Sequence, residues 1–224
     1  MPFYRAVAEA TLEHARRCRL PIEGCRWLDV GAGIGAMAEA LAGAGATVVA
    51  LDVEDGWGPG VTRTPFVMGR GERLPFRDGA FDAVLCSNVL EHVPDPMTIV
   101  LELARTCRPG GAIYVSWTNW LSPWGGHEMS PFHYLGPRAG TRVYRALHGR
   151  EPANLPGRTL FVVHVGETLR RLRASGLKVR QVAPRYWPSL GFVARVPGLR
   201  EIAMWNCAVV VQRPAGWEPP QRSG

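Results

Sequence analysis

The 224 residues carry a formal net charge of +7, with 46% hydrophobic and 20% charged residues, the balance of a globular chain with room for one substantial core and an insertion. No apolar run is long enough to span a bilayer, and Arg5, Glu9 and Glu13 interrupt the N-terminus, so neither a membrane span nor a secretory leader is expected. Five cysteines, odd in number and without a C-x-x-C, speak against a disulfide framework or a zinc site and for reduced thiols in a cytoplasmic protein.

Residues 2–19 place Phe3, Val7, Ala10 and His14 at helical spacing, which predicts an N-terminal helix. "CRWLDV" (25–30) is a short buried-type strand that runs into the glycine loop "GAGIG". "GAMAEALAGAG" (35–45) predicts a helix closed by Gly43 and Gly45, and "ATVVALDV" (46–53) a second strand ending in Asp52. Strand, glycine turn, helix, strand and terminal acid form the first half of a doubly wound parallel sheet. Residues 54–65 are too rich in Gly and Pro for a helix, so a loop is expected as the second crossover. Strands follow at 66–69, 81–88 and 110–117, with a helix from about Asp95 to Cys107 and the turn "RPGG" before the fifth strand. Residues 118–163 interrupt the alternation. A helix over 165–176 and strands within 177–187 and 203–214 resume it. The expected fold is a single α/β domain over 1–214, a doubly wound, Rossmann-like, mostly parallel seven-stranded sheet with an insertion after strand five. A Pro- and Gly-rich flexible tail, 215–224, should follow.

The glycine loop alone admits two cofactors. Gly31, Gly33 and Gly35 read G-x-G-x-G, while Gly31, Gly33 and Ala36 also fit the dinucleotide fingerprint G-x-G-x-x-G/A. Asp52 can accept from ribose hydroxyls in either case and discriminates nothing. The linked motifs "LDVGAGIG", "ALDVE", "GERLPFRDGAFDAVLCSNVLEHVPDP" and "RPGGAIYVS", in that order over about residues 25–117, resemble the class I S-adenosylmethionine (SAM)-dependent methyltransferases, in particular their small-molecule branch. "GGHEMSPFHYLG" (125–136) is similar to a segment of actinobacterial methyltransferase-like proteins. The "LPF" turn, "SNVLEHV" and "RPGG" have no counterpart in the dinucleotide pattern, so the resemblance implies SAM.

It further implies a cofactor site. Asp29 should help hold the aminoacyl end, and Gly31, Ala32 and Gly33 should bring the backbone close to the ligand. Asp52 and Val53 belong at the ribose, and Gly71 and Glu72 at the adenine edge. Ser87 and Asn88 should line the methionine moiety, with Tyr4 on a lidding N-terminal helix closing the other side. Arg70 departs from the pattern, because many relatives carry an acid there and a guanidinium cannot accept from the adenine amino group. Trp57 is placed either to stack on the adenine or to pack on the sheet edge.

Methyl transfer to oxygen or nitrogen releases a proton, which invites a general base. His92, His127 and His133 are the catalytic candidates, with Glu128 able to orient an imidazole. His148 reads equally as a helix cap, and His164 as a core residue. A metal on His127, Glu128 and His133 is not expected, because H-E-x-x-x-x-H lacks the H-E-x-x-H spacing and Pro131 forbids a regular helix.

Charge is unevenly distributed. Residues 1–137 hold 11 Arg against 15 acidic residues, net −4; residues 138–224 hold 14 Arg and Lys178 against four Glu, net +11. Arg138, Arg142 and Arg145 fall on one helix face, and the stretch 184–205 mixes Arg with Trp, Tyr, Phe and Leu. These features suggest an anionic acceptor, either a small molecule or glycan- or lipid-linked, and a peripheral membrane contact. Nucleic acid is not expected as a partner, since no "NPPY"-type motif follows strand four. The expected function is methyl transfer from SAM, at oxygen. A non-enzymatic SAM- or nucleotide-binding regulator and an NAD(P)-dependent oxidoreductase are the alternatives from other classes.

Overall fold

The structure, a computed structural model, describes residues 2–56 and 64–219. Seven strands form one sheet in the order β3-β2-β1-β4-β5-β7-β6. They are β1 (Arg26–Val30), β2 (Thr47–Asp52), β3 (Phe66–Met68), β4 (Phe81–Ser87), β5 (Cys107–Thr118), β6 (Lys178–Pro184) and β7 (Asn206–Gln212). β1 to β5 are parallel, and β7 runs antiparallel to both of its neighbours. The mostly parallel, Rossmann-like sheet is as expected, insertion included.

Side-chain alternation explains why both faces are covered. Trp27, Leu85, Tyr114 and Val210 point to one face, where α1 (Pro2–Arg17) and α2 (Ala36–Gly43) pack. Leu28, Val84, Ile113 and Val209 point to the other, beneath α3 (Pro96–Thr106) and α5 (Val165–Ala174). The chain leaves β1 toward β2 and β3, then returns to the other side of β1 as β4. The strand order therefore reverses between β1 and β4, which opens a crevice at their carboxyl ends.

The turn "RPGG" does not precede β5 but bulges within it. Phe81 pairs with Cys107 and Ala83 with Ala112, so residues 108–111 are looped out. Gly111 is required there, because a Cβ would lie 2.6 Å from the Cys107 sulfur and 2.7 Å from the Asp82 carbonyl. The tail expected to be flexible is anchored in its described part. Trp217 is buried in the core and donates its indole N–H to the Ser175 carbonyl at 2.8 Å. Trp57 lies outside the described residues.

The insertion between β5 and α5 carries two 3₁₀ turns, His127–Met129 and Phe132–Leu135, and α4 (Pro137–His148). Trp120, Met129, Tyr144 and Leu160 give it a small apolar core of its own. No helix among the described residues is long and apolar enough to cross a membrane.

Candidate active site

β1 ends in the glycine loop. The amides of Gly31 and Ala32 donate to the Leu51 carbonyl at 2.8 and 3.1 Å, and the Gly33 amide donates to Asp52 Oδ2 at 2.7 Å. Gly31 has φ +74°, and a Cβ there would stand 2.2 Å from a Val89 methyl, so only glycine fits. Gly33 has φ +53° and open space before it among the described residues. Asp52 Oδ1 accepts from the Val53 amide at 2.6 Å, which fixes the carboxylate at the tip of β2. Gly31, Asp52, Val53, Gly71, Glu72, Asn88 and Val89 are among the residues that line a cleft of about 380 Å³ at the crevice. Gly71 lies close under Ile99, and a Cβ there would stand 3.0 Å from its Cδ1, so the isoleucine would have to shift by a few tenths of an ångström. Arg70, the departure from the pattern, reaches Glu72 at 3.6 Å on the exposed rim.

Asp29 lies beneath this loop, 1% exposed, with Oδ2 unpartnered. Burial first, then the Asp52 charge, pushes its carboxyl up to about 7. A buried carboxyl with a spare oxygen under a glycine loop suits a cationic ligand end. The narrow glycine cradle, the ribose-type acid and this orphaned oxygen fit SAM.

A second cleft, about 810 Å³, adjoins the first. Phe3, Tyr4, Trp124, Tyr186, Trp187 and Trp205 wall it. Trp205 packs against Trp124 and Trp187 with ring centres 4.8 and 5.0 Å apart. Tyr4 thus belongs to this larger cleft rather than to the cofactor cleft assigned to it from sequence. Asn88 and His92 line both clefts. They sit where β4 ends: Asn88 turns the chain at φ +56°, and a 3₁₀ turn over Leu90–His92 follows.

Ser87 lines neither cleft. Its hydroxyl accepts from Arg185 Nη2, which also donates to Ser116 Oγ at 2.6 Å, while Nη1 reaches Asn88 Oδ1 at 3.3 Å. Arg185 is 1% exposed, its Nε has no partner, and no carboxylate pairs with it among the described residues. Sequence reasoning counted Arg185 only as one of many arginines, because its burial depends on where β6 ends beside Asn206.

The three candidate histidines separate. His92 and His127 line the aromatic cleft, with ring centres 5.2 Å apart. His133 does not reach it. It is fully buried, donates Nε2–H to the Ser122 carbonyl at 3.0 Å, and packs so closely under Gly126 that a Cβ there would lie 2.5 Å away. His133 therefore supports the turn that presents His127 and is not a base for an acceptor. Glu128 orients no imidazole either, as it accepts from the Asn154 amide and side chain at 2.7 and 3.0 Å. His148 stacks on Tyr144, and His164 stands 3.9 Å from Glu201, whose carboxylate accepts from the first amides of α5. Arg138, Arg142 and Arg145 are exposed on α4 and line neither cleft.

Comparison with known proteins agrees with this geometry. A methyltransferase-domain family model matches residues 28–115. An uncharacterized methyltransferase of Mycolicibacterium gilvum (strain PYR-GCK) is 40% identical over 192 residues, covering 83% of this chain and 75% of that one. Another from Mycobacterium tuberculosis (strain ATCC 25177 / H37Ra) is 37% identical over 222 residues, 93% of this chain and 87% of its own. The crystal structure of a SAM-dependent methyltransferase from Mesorhizobium loti superposes with a TM-score of 0.62 at 22% identity, over 92% of this chain and all of the other. The chain belongs to the class I SAM-dependent methyltransferases.

Proposed function

We propose that this protein methylates an oxygen of a small-molecule or glycan- or lipid-linked acceptor held in the aromatic cleft, with SAM in the smaller one. The observation that carries this reading is the sharing of Asn88 and His92 by the two linings. A methyl donor seated over Gly31 and Asp52 and an acceptor among the tryptophans would meet at that joint. SAM supplies an activated methyl group with its own leaving group, so the chain's work is to orient the partners and exclude water.

The walls favour an acceptor with an apolar body. Arg185, buried behind Asn88 without a carboxylate, favours an anionic end. An oxygen acceptor must shed a proton, and Glu91, His92 and His127 cluster at the joint to manage it. Exposed Leu190, Phe192, Leu199 and Ile202 beside Arg195 and Arg200 support a peripheral membrane contact for a lipid-linked acceptor. We place the reaction in the cytoplasm on account of the five unpaired thiols.

The test is incubation with methyl-labelled SAM and pools of hydroxylated aromatics and polar lipids, followed by mass spectrometry of the products. The expected product carries the label on an ether carbon, with an equal amount of S-adenosylhomocysteine released. Label on nitrogen or carbon would overturn the oxygen assignment. SAM bound with no product from any pool would point to a regulator.

A further inference from the structure

Glu91 and His92 come from the turn after β4, His127 from the insertion, and their ligand-capable atoms all lie within 4.8 Å of one another. Glu91 is 1% exposed. One of its oxygens accepts from the Thr118 amide at 2.9 Å, while Oε2 has no partner. No Lys or Arg pairs with it among the described residues. His127 Nδ1 is likewise buried and unpartnered. His92 donates Nδ1–H to the Thr159 carbonyl at 2.7 Å, which fixes its tautomer and leaves the lone pair on Nε2. His127 is held in the left-handed region, φ +51°, by the tight Gly125–Gly126 turn.

We propose that Glu91, His92 and His127 bind one divalent first-row transition ion, with coordination positions open toward the aromatic cleft. A buried carboxylate with a spare oxygen and no cationic side chain is costly unless a cation completes it. Two imidazoles and one carboxylate are the donors that suit zinc, manganese or iron(II), whereas calcium takes oxygen ligands alone. The Thr159 carbonyl behind His92 is the outer hydrogen bond that ligating histidines use to fix their orientation. This group differs from the His127–Glu128–His133 motif, whose members do not converge.

The role of the ion rests on the methyltransferase reading above; its binding does not. Drawn to the ion, an acceptor hydroxyl is acidified and gives its proton to solvent. The oxygen pair then forms the new O–CH₃ bond as the S–CH₃ bond breaks, and that bond's electrons stay on sulfur, which leaves as the thioether. His92 and His127, two of the three histidines the sequence offered as a general base, would thereby act as ligands.

The test uses the full chain, stripped of metal by a chelator. Calorimetric titration with Zn²⁺ and with Mn²⁺ should show one ion per chain for at least one of them. Glu91→Gln and His127→Ala should each weaken binding by more than the roughly 10–100-fold that loss of an outer partner costs. His148→Ala should leave it unchanged. The visible spectrum of the wild-type protein loaded with Co²⁺ should change on adding a phenol, which reads an open position without any variant. A wild-type chain that takes up none of these ions overturns the proposal. So does unchanged affinity in His127→Ala; full methyl transfer by the stripped enzyme overturns the ion's role in the reaction and would leave Glu91 and His127 as a metal-free proton relay. SAM affinity measured in the same samples separates the two readings: SAM bound without an ion sinks only the ion site, while loss of SAM binding in every sample sinks the methyltransferase reading.

Discussion

Asp29 and His14 are buried on the same face of the sheet and pull stability in opposite directions with pH. The Asp29 carboxyl is raised from 3.8 to about 7, so the folded state holds its proton more tightly than the unfolded chain. Its contribution is full below the unfolded value and is lost as pH rises toward 7. His14, lowered from 6.5 to about 4 by burial and then by the Arg185 and Arg17 charges, contributes fully above 6.5 and less as pH falls toward 4. The two slopes offset each other in wild type, so a variant reveals them. Asp29→Asn should raise the melting temperature relative to wild type at about pH 7.5, and the gain should shrink as pH falls and vanish only below the unfolded value of 3.8. A gain independent of pH would show that Asp29 is not buried as a titrating acid. Asp52→Ala should weaken SAM binding by about 1.5–3 kcal/mol, since the carboxylate both faces the ribose position and holds the Gly33 amide. Calorimetry showing wild-type affinity would remove Asp52 from the site. His133→Ala should cost about 2–4 kcal/mol of stability, from a cavity and an unpaired Ser122 carbonyl, with SAM affinity unchanged. Thermal denaturation beside SAM titration checks it, and an unaltered melting temperature would contradict the supporting role. At this scale Gly31 and Asp52 were legible because a glycine loop and a strand-end acid act through local backbone geometry. His133 was not, because burial is decided by the distant turn that folds over it.

Among the elements, α4 and the C-terminal segment changed most between sequence and structure. The Arg138, Arg142 and Arg145 face was expected to meet the acceptor, but these side chains face solvent, and Arg145 pairs with Glu151 at the surface. What α4 buries is its other side: Tyr144 enters the insertion core, and Gly140 lies so near the Phe132 carbonyl that a Cβ would stand 2.4 Å from it. Exposed pairs of this kind contribute little. The triple change to Gln should therefore leave both SAM affinity and acceptor KM as in wild type, measured at low salt where surface charge counts most. A rise in acceptor KM would restore the basic face as part of the site. Periodicity located this helix and its charged stripe, yet only packing tells which surface the stripe faces. Trp217 makes the same point. Composition predicted fraying, but one indole under the α5–β6 turn, with Arg213 stacked at 5.4 Å from its ring, pins the segment. Trp217→Ala should destabilise the fold by about 3–5 kcal/mol, read from urea unfolding. A loss near zero would return the tail to the solvent.

Across the whole molecule, the order of strands does most of the placement. Reversal between β1 and β4 puts the glycine loop, the tip of β2 and the turn after β4 around one crevice, and the long connection after β5 closes a second cleft against it. The first half of this arrangement was legible in four ordered motifs, because each motif is a local solution to binding a nucleoside at a strand end. The second half was not, because Trp124 comes from the connection after β5 while Arg185 and Trp205 stand at opposite ends of the connection between β6 and β7, and their meeting is a property of the topology rather than of any local motif. The proposed reaction stands on the two clefts sharing Asn88 and His92. A crystal structure of the full chain with S-adenosylhomocysteine tests it most directly. The ribose should sit on Asp52, the aminoacyl end over Gly31 with Asp29 beneath, and the sulfur at Asn88 and His92, facing the aromatic cleft. Ligand density elsewhere, or a sulfur turned away from His92 and the tryptophans, would contradict it.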